Sequence, residues 1–315
     1  MNLDQLRTFA TAADTLNFTQ AARMLHISQP AVSQQIRELE SSLKVTLFER
    51  RGRTLALTPA GERLRPLALD LLSDVKRTED ELSEFRGIPQ GVFLIGAEST
   101  PGTYLLPQAL GDFTREYPGV RISLRVSDME SIERALQDGE LDLAVTETEP
   151  SPGRLCGWER IPFLKDDHVI ITPPDHPWAG RGELELKELD CVPFIARLMD
   201  SPLRQMGRDR LAAAGYNPDR LTIRFELSST EAIKHAVMAG LGVGFAPVHA
   251  IRIELETGRL AAVGIRGVKL DRSMWLVTPQ GRKLPGYQQR FVDTLLSGDW
   301  LAPRMRLEEA MEKAL

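Results

Sequence analysis

Between Asn17 and Leu43 two helix-forming segments stand a few residues apart, and each begins with its own cap. Asn17 is placed to cap a helix over Phe18 to Leu25. His26-Ile27-Ser28 is then a short turn. Ser28 caps the next helix, and Pro30 sits in its first turn, where a missing N–H costs little. Along that helix Val32, Ile36, Leu39 and Leu43 step by four, three and four, which makes one buried stripe. Leu3, Leu6, Phe9, Ala10 and Ala13 keep the same period and predict an earlier helix. Gln29, Ser33, Gln34 and Arg37 fall on or near the opposite face of the last helix. Amide, hydroxyl and guanidinium groups are the chemistry that reads base edges and phosphates. A generic helical core would show the same outline. It would explain less well the small pair Ala21-Ala22, where two helices must approach closely, and an outer face built of Gln, Ser and Arg. Next, Leu55 and Leu57 alternate as in a short strand, and Arg51-Gly52-Arg53 makes a tight turn. A basic hairpin beside such a helix is a wing for the phosphate backbone or minor groove. A solvated loop would carry the same arginines.

The charge is distributed unevenly. The chain of 315 residues carries −5 overall, but residues 1–65 hold nine basic and six acidic side chains, so the remaining 250 carry −8. A basic head on an acidic body fits nucleic-acid binding by one module only. The length predicts two or three domains. A composition of 42% hydrophobic and 26% charged residues is that of a globular protein. No apolar run of about 18 residues occurs and the first residues lack a signal-peptide pattern, so a cytoplasmic location and no membrane partner are expected. Cys156 and Cys191 are read as buried reduced thiols, with a redox-sensing pair as the alternative.

Residues 1–65 closely resemble the winged helix-turn-helix head of LysR-type transcriptional regulators. The matching runs are Leu6-Arg7-Thr8-Phe9, Ser28-Gln29-Pro30-Ala31-Val32-Ser33, Ile36-Arg37-Glu38-Leu39-Glu40, Leu47-Phe48-Glu49-Arg50 and Leu57-Thr58-Pro59-Ala60-Gly61. They follow in order, without gaps. The resemblance implies that Gln29, Pro30, Ala31, Ser33, Gln34 and Arg37 face DNA and that Arg53 lies in the wing.

Thr58 and Pro59 start a further helix. Leu64, Ala68, Leu71, Val75, Thr78, Leu82 and Phe85 then alternate steps of four and three, the 3.5-residue period of a coiled-coil seam. About 28 residues make roughly 42 Å of helix, more than a small head can cover, which favours dimerisation over packing on its own domain. Gly87-Ile88-Pro89-Gln90-Gly91 ends the helix as a hinge.

From residue 91 strands and helices alternate. Strand 92–96, helix 101–117, strand 120–126, helix 129–137 and buried strand 141–145 form a βαβαβ run with a parallel sheet. A second set begins near Phe163: strand 168–172, helix 184–189, strand 192–195, helix 202–214, strand 221–227, helix 230–239 and strand 243–246. Strand 273–279 and helix 286–297 then return to the first set. The predicted architecture is therefore α/β: a winged helix-turn-helix over 1–58, a linker helix and hinge over 59–90, and two lobes, 91–162 with 267–300 and 163–266. A tail, 301–315, reads as an amphipathic helix.

Ligands bind such sheets at the carboxyl ends of the strands. Glu98-Ser99-Thr100-Pro101 and Leu227-Ser228-Ser229-Thr230 follow two of those ends, and Arg197 with Ser201-Pro202 follows a third. Hydroxyls, helix N-termini and an arginine suit a small anion; plain helix capping would use the same Ser and Thr residues. This body resembles the periplasmic-binding-protein-like effector domain of the same family through Tyr104-Leu105-Leu106-Pro107, Gly139-Glu140-Leu141-Asp142-Leu143-Ala144, His176-Pro177 and Gly240-Leu241-Gly242-Val243. That resemblance implies an effector in the inter-lobe cleft, touching Ser99, Thr100, Thr146, Arg197, Ser201, Ser229 and Thr230. It is nearest to regulators of carbon fixation or sulfur assimilation, more often activators or dual regulators than repressors. Their usual Gly-Ser-Gly-Thr-Arg is replaced by Leu198-Met199-Asp200-Ser201-Pro202, which puts a carboxylate near the expected anion.

The resemblance further implies double-stranded DNA at a two-fold promoter site, self-association as a dimer and a homotetramer, and RNA polymerase as a partner. No P-loop, dinucleotide fingerprint or nucleophile elbow occurs, and the five histidines lack metal spacing. No cofactor, metal or catalytic residue is expected. The alternative class is a solute-binding module or enzyme with a non-functional DNA-binding head.

Overall fold

The computed structural model describes residues 1–51, 54–84, 89–150, 153, 155–281 and 284–301. The head opens with α1 (Leu3–Thr15), α2 (Phe18–Met24) and α3 (Gln29–Leu43). Each starts on a side-chain cap. Asn2 and Gln5 form a reciprocal box, Asn17 Oδ1 accepts from Thr19 N at 2.9 Å and Gln20 N at 3.1 Å, and Ser28 Oγ accepts from Ala31 N at 3.3 Å. The turn between α2 and α3 is closed by His26 in the left-handed region, φ 54°. Leu6, Phe9, Ala21, Val32, Ile36 and Leu39 are buried together beneath it. Ala21, wholly inaccessible, is the small residue that lets α2 lie against its neighbours. Phe48 joins this core edge-on to Phe9 and Phe18, with ring centroids 5.7 and 5.2 Å away.

Phe48 belongs to the hairpin strand β1 (Phe48–Arg51), which pairs antiparallel with β2 (Thr54–Leu57). The long helix α4 (Pro59–Glu84) follows, and Thr58 Oγ1 accepts from Gly61 N at 3.1 Å. Gly61 has a steric reason to be glycine: a Cβ there would lie 2.2 Å from the Leu47 carbonyl oxygen.

The predicted seam along α4 is divided in use. Ala68 is buried in the head core with Leu64 packed against it, so those two positions serve the chain's own head. Leu71 and Leu82 are exposed, as is Leu67 beside them, and Phe85 lies outside the described residues. A further face of α4 meets the body. Arg65 donates to Asp14 of α1 at 2.7 Å and to Asp138 of the body at 2.8 Å, Lys76 pairs with Asp142 at 3.3 Å, and Tyr287 donates to the buried Asp80 at 3.0 Å. Between these ties lies an open groove of about 630 Å³, lined in part by Lys76, Asp142, Trp158 and Gln288.

The body begins with β3 (Gly91–Ala97). A π-helical turn over Pro101–Leu105 runs into α5 (Leu106–Glu116), so the predicted 101–117 helix starts wide. β4 (Val120–Val126), α6 (Met129–Gln137) and β5 (Leu143–Thr146) follow, and both β4 and β5 pair parallel with β3. The next strand, β6 (Trp158–Thr172), is one strand of 15 residues, where the sequence pattern places the start of a second set near Phe163 and a strand only from His168. Its amino half pairs with the return strand and its carboxyl half with the second lobe. The polar Lys165-Asp166-Asp167 that breaks the apolar pattern is the stretch between lobes.

The second lobe comprises β7 (Glu183–Leu184), β8 (Pro193–Arg197), α7 (Pro202–Ala213), β9 (Thr222–Leu227), α8 (Thr230–Met238), β10 (Val243–Pro247), α9 (Arg252–Glu256) and β11 (Ala261–Ile265). The predicted helix 184–189 is a 3-10 segment, Leu186–Cys191. The chain returns through β12 (Asp271–Pro279) and ends its described part with α10 (Gly286–Ser297). Asp167 of β6 pairs with Asp271, whereas His168 pairs with Pro247, so the chain passes between lobes at 167/168 and 270/271. Phe93, Leu143, Leu276, Tyr287 and Phe291 pack the first lobe, and separate clusters around Ile171 and Phe194 pack the second. Among the described residues no helix is long and apolar enough to cross a membrane.

Candidate functional site

The outer face of α3 carries the residues expected there. Gln29, Pro30, Gln34 and Arg37 are exposed, and Ala31 and Ser33 are half-buried. The polar ones are mutually oriented. Gln29 Nε2 donates to Ser33 Oγ at 2.8 Å, Gln34 Nε2 to Glu38 Oε1 at 2.7 Å, and Arg37 Nη2 to Gln34 Oε1 at 3.0 Å. These pairs are three or four residues apart, so helix geometry alone brings them together. Arg53 lies outside the described residues.

In the body, the antiparallel placement of β12 decides the second site. Trp275 of β12 lies opposite Thr146, the last residue of β5. The first residues of β12 therefore project past the carboxyl end of β5, and Arg272 arrives beside Glu147. Arg272 is also directly across from Asp166 in the β6 ladder. Its Nη2 donates to Thr100 Oγ1 at 2.8 Å, to Glu147 Oε2 at 2.8 Å and to Asp166 Oδ2 at 3.1 Å. Facing this group from the second lobe are Arg197, at the end of β8, and Thr230, at the start of α8. Arg197 Nη1 donates to Thr230 Oγ1 at 3.3 Å, while its Nε is buried without a partner. Tyr104 of the π turn crosses between lobes, its hydroxyl donating to Glu231 Oε1 at 2.7 Å. Lys234 holds Glu231 at 2.8 Å and Glu254 at 2.9 Å.

The seven residues expected in this cleft have different roles. Thr100, Arg197 and Thr230 converge as described. Ser229 is half-buried, and its Oγ accepts from Ala232 N at 3.1 Å as an ordinary helix cap. Thr100 does not cap with its side chain; its hydroxyl accepts from Arg272. Thr146 is wholly inaccessible and donates to the Thr148 carbonyl at 2.9 Å, so it shapes the turn after β5 and is not a wall of the cleft. Ser201 is buried at the start of α7 without a side-chain cap bond, and Ser99 is half-buried. Asp200, expected close to an anion, is exposed. Both cysteines are exposed and free, against the expectation of buried thiols.

Four charged groups escaped the sequence pattern: Arg272, Glu98, Glu147 and Asp166. Glu98 and Glu147 do follow the carboxyl ends of β3 and β5, a signal open to sequence reading had acids been weighed with hydroxyls. Arg272 stands at the amino end of a strand, and only the antiparallel register delivers it.

Burial sets the protonation of this cluster. It pushes the fully buried Asp166 up to about 7, with the Arg272 charge opposing. Burial pushes His168 down to about 3, with Arg272 acting in the same direction. His168 Nδ1 donates to the Leu270 carbonyl at 3.2 Å, which leaves Nε2 as an unpartnered acceptor. Burial likewise lowers Arg197, with Glu147 opposing and Arg272 adding to the effect.

The two buried groups have opposite effects on stability. A neutral buried His168 favours the folded state above pH 6.5, and that contribution falls as pH drops toward 3. Asp166, raised from 3.8 to about 7, favours it at low pH, and that contribution falls as pH rises through the same interval. Between about pH 4 and 6.5 they offset each other. Asp166→Asn is therefore expected to steepen acid destabilisation over that range, by on the order of 1–3 kcal/mol relative to the parent. Melting temperatures of both proteins from pH 4 to 7 check this, and parallel profiles would refute it.

The description "Bacterial regulatory helix-turn-helix protein, lysR family" matches residues 3–62, and "LysR substrate binding domain" matches residues 86–299. A probable RuBisCO transcriptional regulator of Trichormus variabilis is 34% identical over 303 residues, covering 95% of this chain and 90% of its own. The regulatory domain of CcmR from Synechocystis PCC6803, solved in complex with 2-PG, is 28% identical, covers 66% of this chain and 97% of its own, and superposes with a TM-score of 0.57. Full-length CbnR, solved with its target DNA, shares the fold at 23% identity and a TM-score of 0.60, covering 94% of this chain and 99% of its own. With a winged head and a two-lobed body each matched by the corresponding part of that family, the chain belongs to the LysR family of transcriptional regulators, which are DNA-binding proteins and not enzymes.

Proposed function

We propose that this protein governs a carbon-fixation operon in response to a small phosphorylated or carboxylated metabolite bound between its lobes. The observation that carries the effector reading is the convergence of Thr100 and Arg272 from one lobe with Arg197 and Thr230 from the other. A ligand touching both walls favours one relative setting of the lobes, and its differential affinity is what shifts the equilibrium. The names of the RuBisCO regulators among its relatives, and the 2-PG bound to the CcmR domain, support the pathway and the ligand class.

Gln29, Pro30, Ala31, Ser33, Gln34 and Arg37 are the proposed DNA-facing residues, with Arg53 in the wing. The exposed Leu67, Leu71 and Leu82 of α4 are the proposed pairing stripe, which sets two heads on a two-fold site. We further assign a dimer of dimers, a cytoplasmic location and contact with RNA polymerase when active. Activation or dual control is the proposed mode.

The test is a thermal-shift screen of the full-length protein against phosphorylated carboxylic acids, phosphate and sulfate, followed by footprinting with each hit. A ligand at 100 times its Kd should add about 2.7 kcal/mol of stability and alter the protected stretch of DNA. Absence of any stabilising anion would sink the ligand class. A stabilising anion that leaves the footprint unchanged would sink its regulatory role.

A further inference from the structure

The carboxylate of Glu147 already lies where an incoming anion would dock. Its Oε2 accepts from Thr100 N, at the start of the helical run leading into α5, at 3.1 Å and from Arg272 Nη2 at 2.8 Å. Backbone N–H groups at a helix start and a guanidinium are the usual partners of a bound phosphate or carboxylate. Here the chain itself supplies the acid.

The turn that presents Glu147 is fixed independently of its side chain. Glu98 Oε2 accepts from Glu147 N at 2.8 Å and Thr148 N at 2.7 Å, and Glu98 Oε1 accepts from Thr148 Oγ1 at 3.1 Å. Thr146 Oγ1 closes the same turn on Thr148 O. The Glu147 side chain can therefore swing away without unravelling the backbone beneath it. Arg272 would keep Asp166, its partner across the ladder.

The two guanidinium groups of the cleft are unequally satisfied. Arg272 has three acceptors, whereas Arg197 has a long bond to Thr230 and a buried Nε without a partner. An anion with one charged group meets an occupied slot at Arg272. An anion with two, spaced to reach both arginines, adds the Arg197 interaction that Glu147 leaves unmade.

We propose that Glu147 is a tethered competitor of the effector, holding the Thr100–Arg272 slot in the ligand-free cleft and yielding it to anions whose two charged groups bridge Arg272 and Arg197. The inference rests on the cleft reading above. A tethered group competes at an effective concentration of order millimolar, so the competitor raises the effector level at which the protein responds. It also rejects simple monoanions, which cannot offset the loss of the internal contact.

The probes are 2-phosphoglycolate, with a phosphate at one end and a carboxylate at the other, and acetate. Calorimetric titration of the full-length protein is compared with Glu147→Gln, which removes the charge at nearly constant shape, and with Arg197→Ala. The expected results are at least tenfold tighter 2-phosphoglycolate binding by Glu147→Gln, measurable acetate binding by that variant alone, and loss of 2-phosphoglycolate binding in Arg197→Ala. Equal or weaker binding by Glu147→Gln, with Arg197→Ala still defective, overturns the competitor and leaves the cleft in place. Binding unaffected by Arg197→Ala, or absent from every protein, overturns the cleft reading and the competitor together. The Glu147→Gln melting temperature, expected to stay near that of the parent, shows that the comparison is made between folded proteins.

Discussion

Replacing Arg37 by Ala is expected to weaken operator binding by roughly 10²-fold or more at moderate salt. Arg37 is exposed on α3, and Gln34 accepts from its Nη2 at 3.0 Å, so the guanidinium is steadied before DNA arrives. A well-formed base contact is worth about 1–3 kcal/mol, and a two-fold site loses it twice. Arg37 is outside the buried stripe Val32, Ile36 and Leu39, so the melting temperature should hardly change. The measurement is affinity for the promoter fragment at several salt concentrations. A shallower salt slope would assign Arg37 to phosphate. An unchanged slope with relaxed sequence preference would assign it to a base. Unchanged affinity and slope together would remove Arg37 from the interface.

Arg197→Ala is expected to abolish the effector response while leaving the ligand-free protein as stable as before, or slightly more so. The reason is the state of Arg197 without ligand: half-buried, lowered by burial, and with Nε unpartnered. Such a group costs stability in the empty cleft and regains it through a charge-assisted bond to ligand, worth about 1.5–3 kcal/mol or roughly 10- to 100-fold in affinity. Ser229→Ala is the contrasting control. It removes an ordinary cap and should cost about 1 kcal/mol of stability with little effect on the response. Should Arg197→Ala lower the melting temperature by several degrees and still respond normally to effector, the arginine would be structural.

The head was the most legible part because its signals are local. Asn17, Ser28, the 4-3-4 spacing of Val32 to Leu43 and the polar residues between them act within one or two helical turns, and the caps and burial follow that spacing. The long helix was half legible. Its period is visible, but periodicity does not say which neighbour receives a face. Leu64 and Ala68 turn to the head, Lys76 and Asp80 to the body, and only part of the apolar stripe is left exposed.

Placing the start of a second set near Phe163 has a similar cause. Lys165, Asp166 and Asp167 interrupt the apolar run. They are strand because β12 lies alongside and Arg272 faces the buried Asp166.

For the cleft, the sequence by itself determined the class of fold and the strand ends where Thr100, Arg197 and Thr230 stand, because hydroxyls and helix starts at those ends are written in consecutive residues. Only the tertiary structure decided the chemistry of the space between them. Residue 272 lies more than a hundred positions from 98, 147 and 166, and an antiparallel strand running past the end of β5 brings it among them. Which charges meet, which remain unpaired and which acid fills the anion slot depend on that register. Spacing along the chain carries no record of it.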